Sequence, residues 1–122
     1  MIVAAPIQKD GTSNPTIDPR WGRANWIALA DVSDGKIVGW DEKEVLWDKL
    51  HDEGTDGAHH ARIAKFIKEN QVEMIVVDHM GDGMVRMLKT MEIPVTFGAS
   101  GSAKVAIENA TTLTVPKTLP LV

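Results

Sequence analysis

Two adjacent histidines, His59 and His60, follow the turn sequence GTDG and open the segment AHHARIAKFI, whose apolar residues recur at helical spacing. A third, His79, stands in DHMGDG, directly after the apolar run VEMIVVD. The dipole at a helix N-terminus disfavours the imidazolium form, and a neutral ring keeps a lone pair for a metal. The chain has no cysteine, so it offers no thiolate. A metal held by His59, His60 and His79, with the thioether of Met80 in the same loop, suits a species that brings its own sulfide. Taken singly, each histidine is somewhat better explained as a polar residue on an exposed helix start. The two runs at neighbouring loops bring the ligand reading level with that one.

Three Gly-rich stretches, GTDG, HMGDG and GASGSAK, each precede a predicted helix. Unpaired N–H groups and dipoles at helix starts attract anions, and Gly54, Gly57, Gly81, Gly83, Gly98 and Gly101 permit close backbone approach. Each stretch alone is ordinary chemistry for a helix start. GASGSAK lacks the Gly-Lys-Ser/Thr ending of a phosphate-binding loop, and no full Gly-x-Gly-x-x-Gly exists, so a nucleotide site is not favoured. Arg20 and Arg23, in PRWGRA, are the cations best placed to meet an anion, Arg23 first. Arg62, Arg86 and Lys104 read as solvated surface charges. Met84, Met87 and Met91 recur at helical spacing and read as core. Trp21 either anchors the long loop in which it lies or covers a ligand.

These residues need a scaffold. Residues 1–7 (MIVAAPI) form a short apolar strand, followed by a Gly/Pro/Asn-rich loop over 8–24 of a length that is uncommon unless functional or mobile. NWIALADV and KIVGW are strands joined by a tight turn at Asp34-Gly35. DEKEVLWDKLHDE fits either a charge-guarded strand edge or the start of a short helix. From Gly54 helices alternate with strands: a helix over 58–70, the strand VEMIVVD, a second helix, the strand IPVTF and a third helix. That alternation predicts a right-handed parallel crossover. The expected fold is α/β: a mixed five-stranded sheet, three antiparallel strands continued by two parallel ones, with about three helices on its faces. Residues 1–110 are expected to form one cofactor-binding domain, and 111–122, with two prolines, an extended tail.

The chain's 122 residues suffice for one core without disulfides, and 43% hydrophobic and 25% charged residues describe an ordinary globule. A net charge of −4 without a basic cluster argues against nucleic acid as partner. No stretch is long enough to span a bilayer and the opening is too short for a signal peptide, so a cytoplasmic protein without a membrane partner is expected.

The order of a first strand, a Gly-containing loop, WGRA, a hairpin, and then GTDGAHHARIAKFIKENQVEMIVVDHMGDGMVRMLKTMEIPVTFGASGSAKVAIENA resembles the dinitrogenase iron–molybdenum cofactor biosynthesis accessory family. The resemblance covers about residues 1–110. It implies a ribonuclease-H-like three-layer sandwich and a binding or carrier role, without turnover, for an anionic metal–sulfur cluster. The cluster would be of the Mo/Fe/S or Mo/Cu/S type, bound without cysteine ligands. It also implies cluster donor or acceptor proteins as partners. Carried onto this chain, WGRA implicates Trp21, Gly22 and Arg23; the Gly-rich helix start implicates His59 and His60; the strand-end loop implicates Asp78, His79 and Gly81. The family often has phenylalanine where this chain has Trp21 and histidine where it has Arg20.

Two other readings stand beside this one. Asp31, Asp78 and Asp82 could gather a divalent metal for phosphoryl transfer or nuclease chemistry, which requires the three carboxylates to converge. Alternatively, the long loop or an edge strand could serve a regulatory interaction module.

Overall fold

The computed structural model describes residues 1–118, with side chains to residue 112. A mixed sheet has the order β4-β3-β1-β5-β6, with a short β2 also on β1. Its central strand, β1 (Ile2–Gln8), sends Ala4 into one core layer and Val3, Ala5 and Ile7 into the other, which is why the run is apolar on both sides. Pro6 is tolerated there: its carbonyl accepts from Asp18 N–H at 2.9 Å on the side where pairing with β5 has already ended. β3 (Trp26–Ser33) and β4 (Lys36–Glu44) form the predicted hairpin, with Asp34 at φ 52° and Gly35 at φ 77° in its two-residue turn. A bulge between Asp31 and Val32 leaves Val38 without a partner on the edge strand. β5 (Met74–Val76) and β6 (Val95–Thr96) run parallel to β1, as the alternation predicted.

Two features depart from expectation. Part of the 8–24 loop pairs with β1 as β2 (Thr16–Ile17), because Ile17 is buried there, so the sheet has six strands instead of five. DEKEVLWDKLHDE is both of its alternatives: β4 runs through Glu44, Leu46 turns at φ 52°, and α1 (Trp47–His51) follows.

The helices α2 (Asp56–Glu69), α3 (Asp82–Thr90) and α4 (Ala103–Thr118) complete the layers. Thr55 caps α2 by accepting from Ala58 N–H, and His59, Ile63 and Ile67 bury one stripe of it. α3 buries Met84 and Leu88 in the same layer, with Met87 and Met91 packed at its margin. Ala103, Ile107 and Ala110 of α4 cover the opposite face. The extended tail expected from residue 111 is corrected by α4. The helix continues to Thr118, and at its turn Thr111 is buried with its hydroxyl bonded to the Ile107 and Glu108 carbonyls. Residues 119–122 of that expectation lie outside the described ones.

The strand directions decide where chemistry can gather. β1, β5 and β6 end, β3 begins and β4 ends on one side of the sheet. The loops over 9–25, 45–55, 77–81 and 97–102, and the starts of α2, α3 and α4, therefore share that end.

Candidate functional site

WGRA forms a single 3-10 turn at that end, closed by Arg23 N–H to the Arg20 carbonyl. Trp21 holds it down. The indole is 2% exposed and meets Trp47 edge-on at 5.3 Å, and Trp47 meets Phe66 at 5.4 Å. Such contacts add about 0.5–1.5 kcal/mol each beyond burial of area. Trp21 thus anchors the long loop.

His59 sits beneath this turn and is 3% exposed. Its Nε2 lies 2.8 Å from the Gly22 carbonyl and its Nδ1 2.6 Å from Arg62 Nη1. A carbonyl only accepts and a guanidinium only donates, so the ring is the neutral tautomer with the proton on Nε2. Burial pushes its pKa below the usual 6.5, against the Gly22 bond, and the nearby charges of His51, Arg62 and His60 push it the same way. With both nitrogens bonded, His59 offers no lone pair to a metal. In this arrangement its ring joins α2 to the WGRA turn, apart from the role as ligand expected of it.

The two arginines of the turn are likewise engaged. Arg23 reaches Asp48 at 3.3 Å and Asp52 at 3.2 Å. The bond from Arg23 holds the Asp52 carboxyl below its ordinary range. Arg20 lies 3.3 Å from Asp18 and 3.7 Å from Asp48. Asp18, 2% exposed, also accepts from Arg20 N–H at 2.9 Å and so fixes the approach to the turn. Arg20 pairs through its backbone with His79, which draws WGRA and the loop after β5 together.

His60 and His79 differ from His59. The His60 ring is partly exposed and packs over Gly83 in the first turn of α3, its Cε1 3.0 Å from where a β-carbon would stand. The His79 side chain is 71% exposed, with Nδ1 3.8 Å from the Asp78 carboxylate. Gly81 caps α3 without a side chain and Gly57 lies in the first turn of α2; both are exposed. Gly98 and Gly101 have other work, at φ 81° and 72°. Gly98 N–H donates to the Asp78 carbonyl at 2.8 Å, and the Gly101 carbonyl accepts from Ile17 N–H at 2.8 Å.

The expected three-histidine metal centre does not assemble: among the described residues no group of three or more His, Asp or Glu side chains could hold a metal ion. The carboxylate reading fails on placement, since Asp31 pairs opposite Ile2 at the far end of the sheet from Asp78 and Asp82. An open 590 Å³ groove on another flank, lined by Lys9, Ser13, Trp40, Glu42 and Lys104 among others, contains none of the predicted residues. Its polar groups bond one another: Lys9 and the Trp40 indole to Glu42, Lys104 to the Ser13 carbonyl.

The family model described as dinitrogenase iron-molybdenum cofactor matches residues 1–113, which include every residue of this end of the sheet. The chain belongs to the dinitrogenase iron–molybdenum cofactor family. Membership supports a role in iron–molybdenum cofactor biosynthesis or cluster binding. No curated protein matches the sequence. Among solved structures, the crystal structure of PH0822 superposes with TM-score 0.70 at 18% identity, covering 90% of this chain and 88% of that one. An NMR structure of a Thermotoga protein, TM1290, described as a NifB candidate of the DUF35 family, gives 0.66 at 20% identity, covering 90% and 86%. The apo form of the orange protein from Desulfovibrio gigas gives 0.67 at 14% identity, covering 99% and 92%. At these identities the likeness is one of fold. Among the described residues no helix is long and apolar enough to cross a membrane.

In this member of the iron–molybdenum cofactor family, reading the sequence missed Asp18, Asp48 and Asp52. Asp48 and Asp52 lie in the segment that sequence left between strand and helix, and Asp18 in the loop it left without structure. Gly83 reads as one more glycine of a helix start until the His60 ring is seen against it.

Proposed function

We propose that this chain is a non-catalytic binder and carrier of an anionic metal–sulfur cluster. The observation that carries the reading is a difference among the histidines. His59 is bonded at both nitrogens, whereas among the described residues the His60 side chain makes no hydrogen bond and His79 stands largely in solvent, at adjoining chain turns. Two imidazoles then face the cargo, as ligands to metal or donors to sulfide, and His59 positions the turn behind them. Gly57 and Gly81 leave the first backbone N–H groups of α2 and α3 accessible to the same anion. The cluster is of the Mo/Fe/S or Mo/Cu/S type, held without thiolate. Cluster donor and acceptor proteins are its partners, in the cytoplasm. Residues 1–110 act as one cofactor-binding unit, in a sheet of the ribonuclease-H-like type.

Purification without oxygen, metal analysis and visible absorption test the reading. The parent protein is expected to take up cluster stoichiometrically. His60→Ala and His79→Ala are each expected to lower uptake while leaving the melting temperature nearly unchanged. A reconstituted parent without stoichiometric metal would overturn it.

A further inference from the structure

The carrier needs positive charge facing its cargo, and the two arginines that sequence put first are already held by carboxylates. Arg23 lies between Asp48 and Asp52, and Arg20 between Asp18 and Asp48. Arg86 has no such partner: among the described residues no carboxylate reaches its guanidinium. It stands on α3 one turn beyond Gly83. A β-carbon at Gly83 would lie 3.9 Å from Arg86 Nη2, 3.9 Å from His60 Nδ1 and 3.0 Å from His60 Cε1. A cation from α3 and an imidazole from α2 thus meet around one missing side chain.

We infer that His60 and Arg86 form an anion subsite over Gly83, in which Arg86, and not Arg20 or Arg23, supplies the charge that selects a thiometallate anion. The inference rests on the carrier reading. A guanidinium is weakly hydrated and presents a flat row of N–H donors, so it can lie along a sulfur-rich face at a modest desolvation cost. An ammonium at the same place keeps the charge but loses that face. Gly83 is the positioning residue. Its backbone φ is ordinary, so the absent side chain is explained by the space His60 occupies and not by backbone strain.

Equilibrium dialysis of tetrathiomolybdate against the full chain without oxygen, at low and high salt, tests this. Arg86→Gln is expected to weaken binding about tenfold, the worth of one charge-assisted hydrogen bond, and to flatten its salt dependence. Arg86→Lys should recover the salt dependence but only part of the affinity. At high salt, where the carboxylates left behind are screened, Arg20→Gln and Arg23→Gln should bind closer to the parent than Arg86→Gln does, because neither guanidinium is free to donate to the cargo. Gly83→Ala should bind more weakly because the His60 ring is displaced, while its melting temperature should stay near the parent's, alanine's helix preference offsetting the 3.0 Å contact with that ring. A purely structural glycine would not separate those two readouts. If the parent binds and Arg86→Gln binds equally well with the same salt dependence, the inference is overturned and the carrier reading stands. If at high salt Arg20→Gln or Arg23→Gln loses as much as Arg86→Gln, the anion contact belongs to the WGRA turn and the inference is again overturned. A parent that takes up neither tetrathiomolybdate nor cluster removes both.

Discussion

The start of α4 and the starts of α2 and α3 lie at the same end of one sheet, each behind a Gly-rich turn, yet they have opposite fates. The start of α4 is tied to the long loop. Ala103 N–H donates to the Pro15 carbonyl, Ser102 to Asn14, Lys104 to the Ser13 carbonyl, and the Gly101 carbonyl accepts from Ile17. Its donors have been consumed in closing the long loop onto the sheet. On the α2 and α3 side the WGRA turn is bonded just as firmly, through His59, Asp18, Asp48 and Asp52. Those bonds tie the turn to its own neighbours, however, and leave His79, Gly57 and Gly81 exposed and His60 partly so. A Gly-rich turn before a helix therefore does not identify a site. What distinguishes the two is which polar groups already have partners.

The largest effect that can sharpen the contrast comes from the two core layers. Trp47→Ala removes the indole between Trp21 and Phe66 and should cost about 3–5 kcal/mol, while Ile107→Ala under α4 should cost about 2–5 kcal/mol. Urea denaturation measures both. At temperatures where each variant remains folded, cluster uptake should fall only for Trp47→Ala, whose stack supports the turn. Equal uptake by the two variants would erase the distinction between the sides.

A smaller effect depends on pH. Burial lowers the His59 pKa in the folded chain, so the unfolded chain takes up a proton first as pH falls through about 6.5. Stability should decline from there down to the folded pKa and level off below it. His59→Gln keeps a donor for Gly22 and an acceptor for Arg62 but cannot titrate. Its urea midpoint should change less than the parent's between pH 7.5 and 5, and an identical slope would mean that other groups cause the decline. The low pKa of Asp52, set chiefly by Arg23, acts in the more acid carboxylate range and does not confuse the test.

How much could be read beforehand follows the range of the interactions. The hairpin at Asp34-Gly35, the both-faced burial of β1 and the parallel crossover are encoded by local chemistry and two-residue or helical periods, and all were legible. So was the gathering of the loops at one end, which follows from strand direction. β2 was not legible: two residues carry no period, and their strand state depends on the pairing of Ile17 with Ile7. The bonds that His59 and Arg23 make were equally hidden. Their partners are a carbonyl and two carboxylates more than twenty residues away in sequence, brought near only by the finished fold. A histidine reads alike in sequence whether its lone pair is free or used.

The smallest expected effects test the glycines of the two sides against each other. Gly101 sits at φ 72° with no atom within 4 Å of where a β-carbon would stand, so alanine there meets backbone strain alone, about 1 kcal/mol. Gly57 lies inside the first turn of α2 at an ordinary φ, where alanine should gain a few tenths to about 1 kcal/mol. Chemical denaturation should thus move in opposite directions for Gly101→Ala and Gly57→Ala. Cluster uptake should do the reverse. Gly101→Ala should bind as the parent does, because its carbonyl is occupied by Ile17; Gly57→Ala should bind more weakly, because a methyl group narrows access to the exposed N–H groups of α2. If Gly101→Ala lost uptake while keeping its fold, the α4 side would have to be part of the site after all.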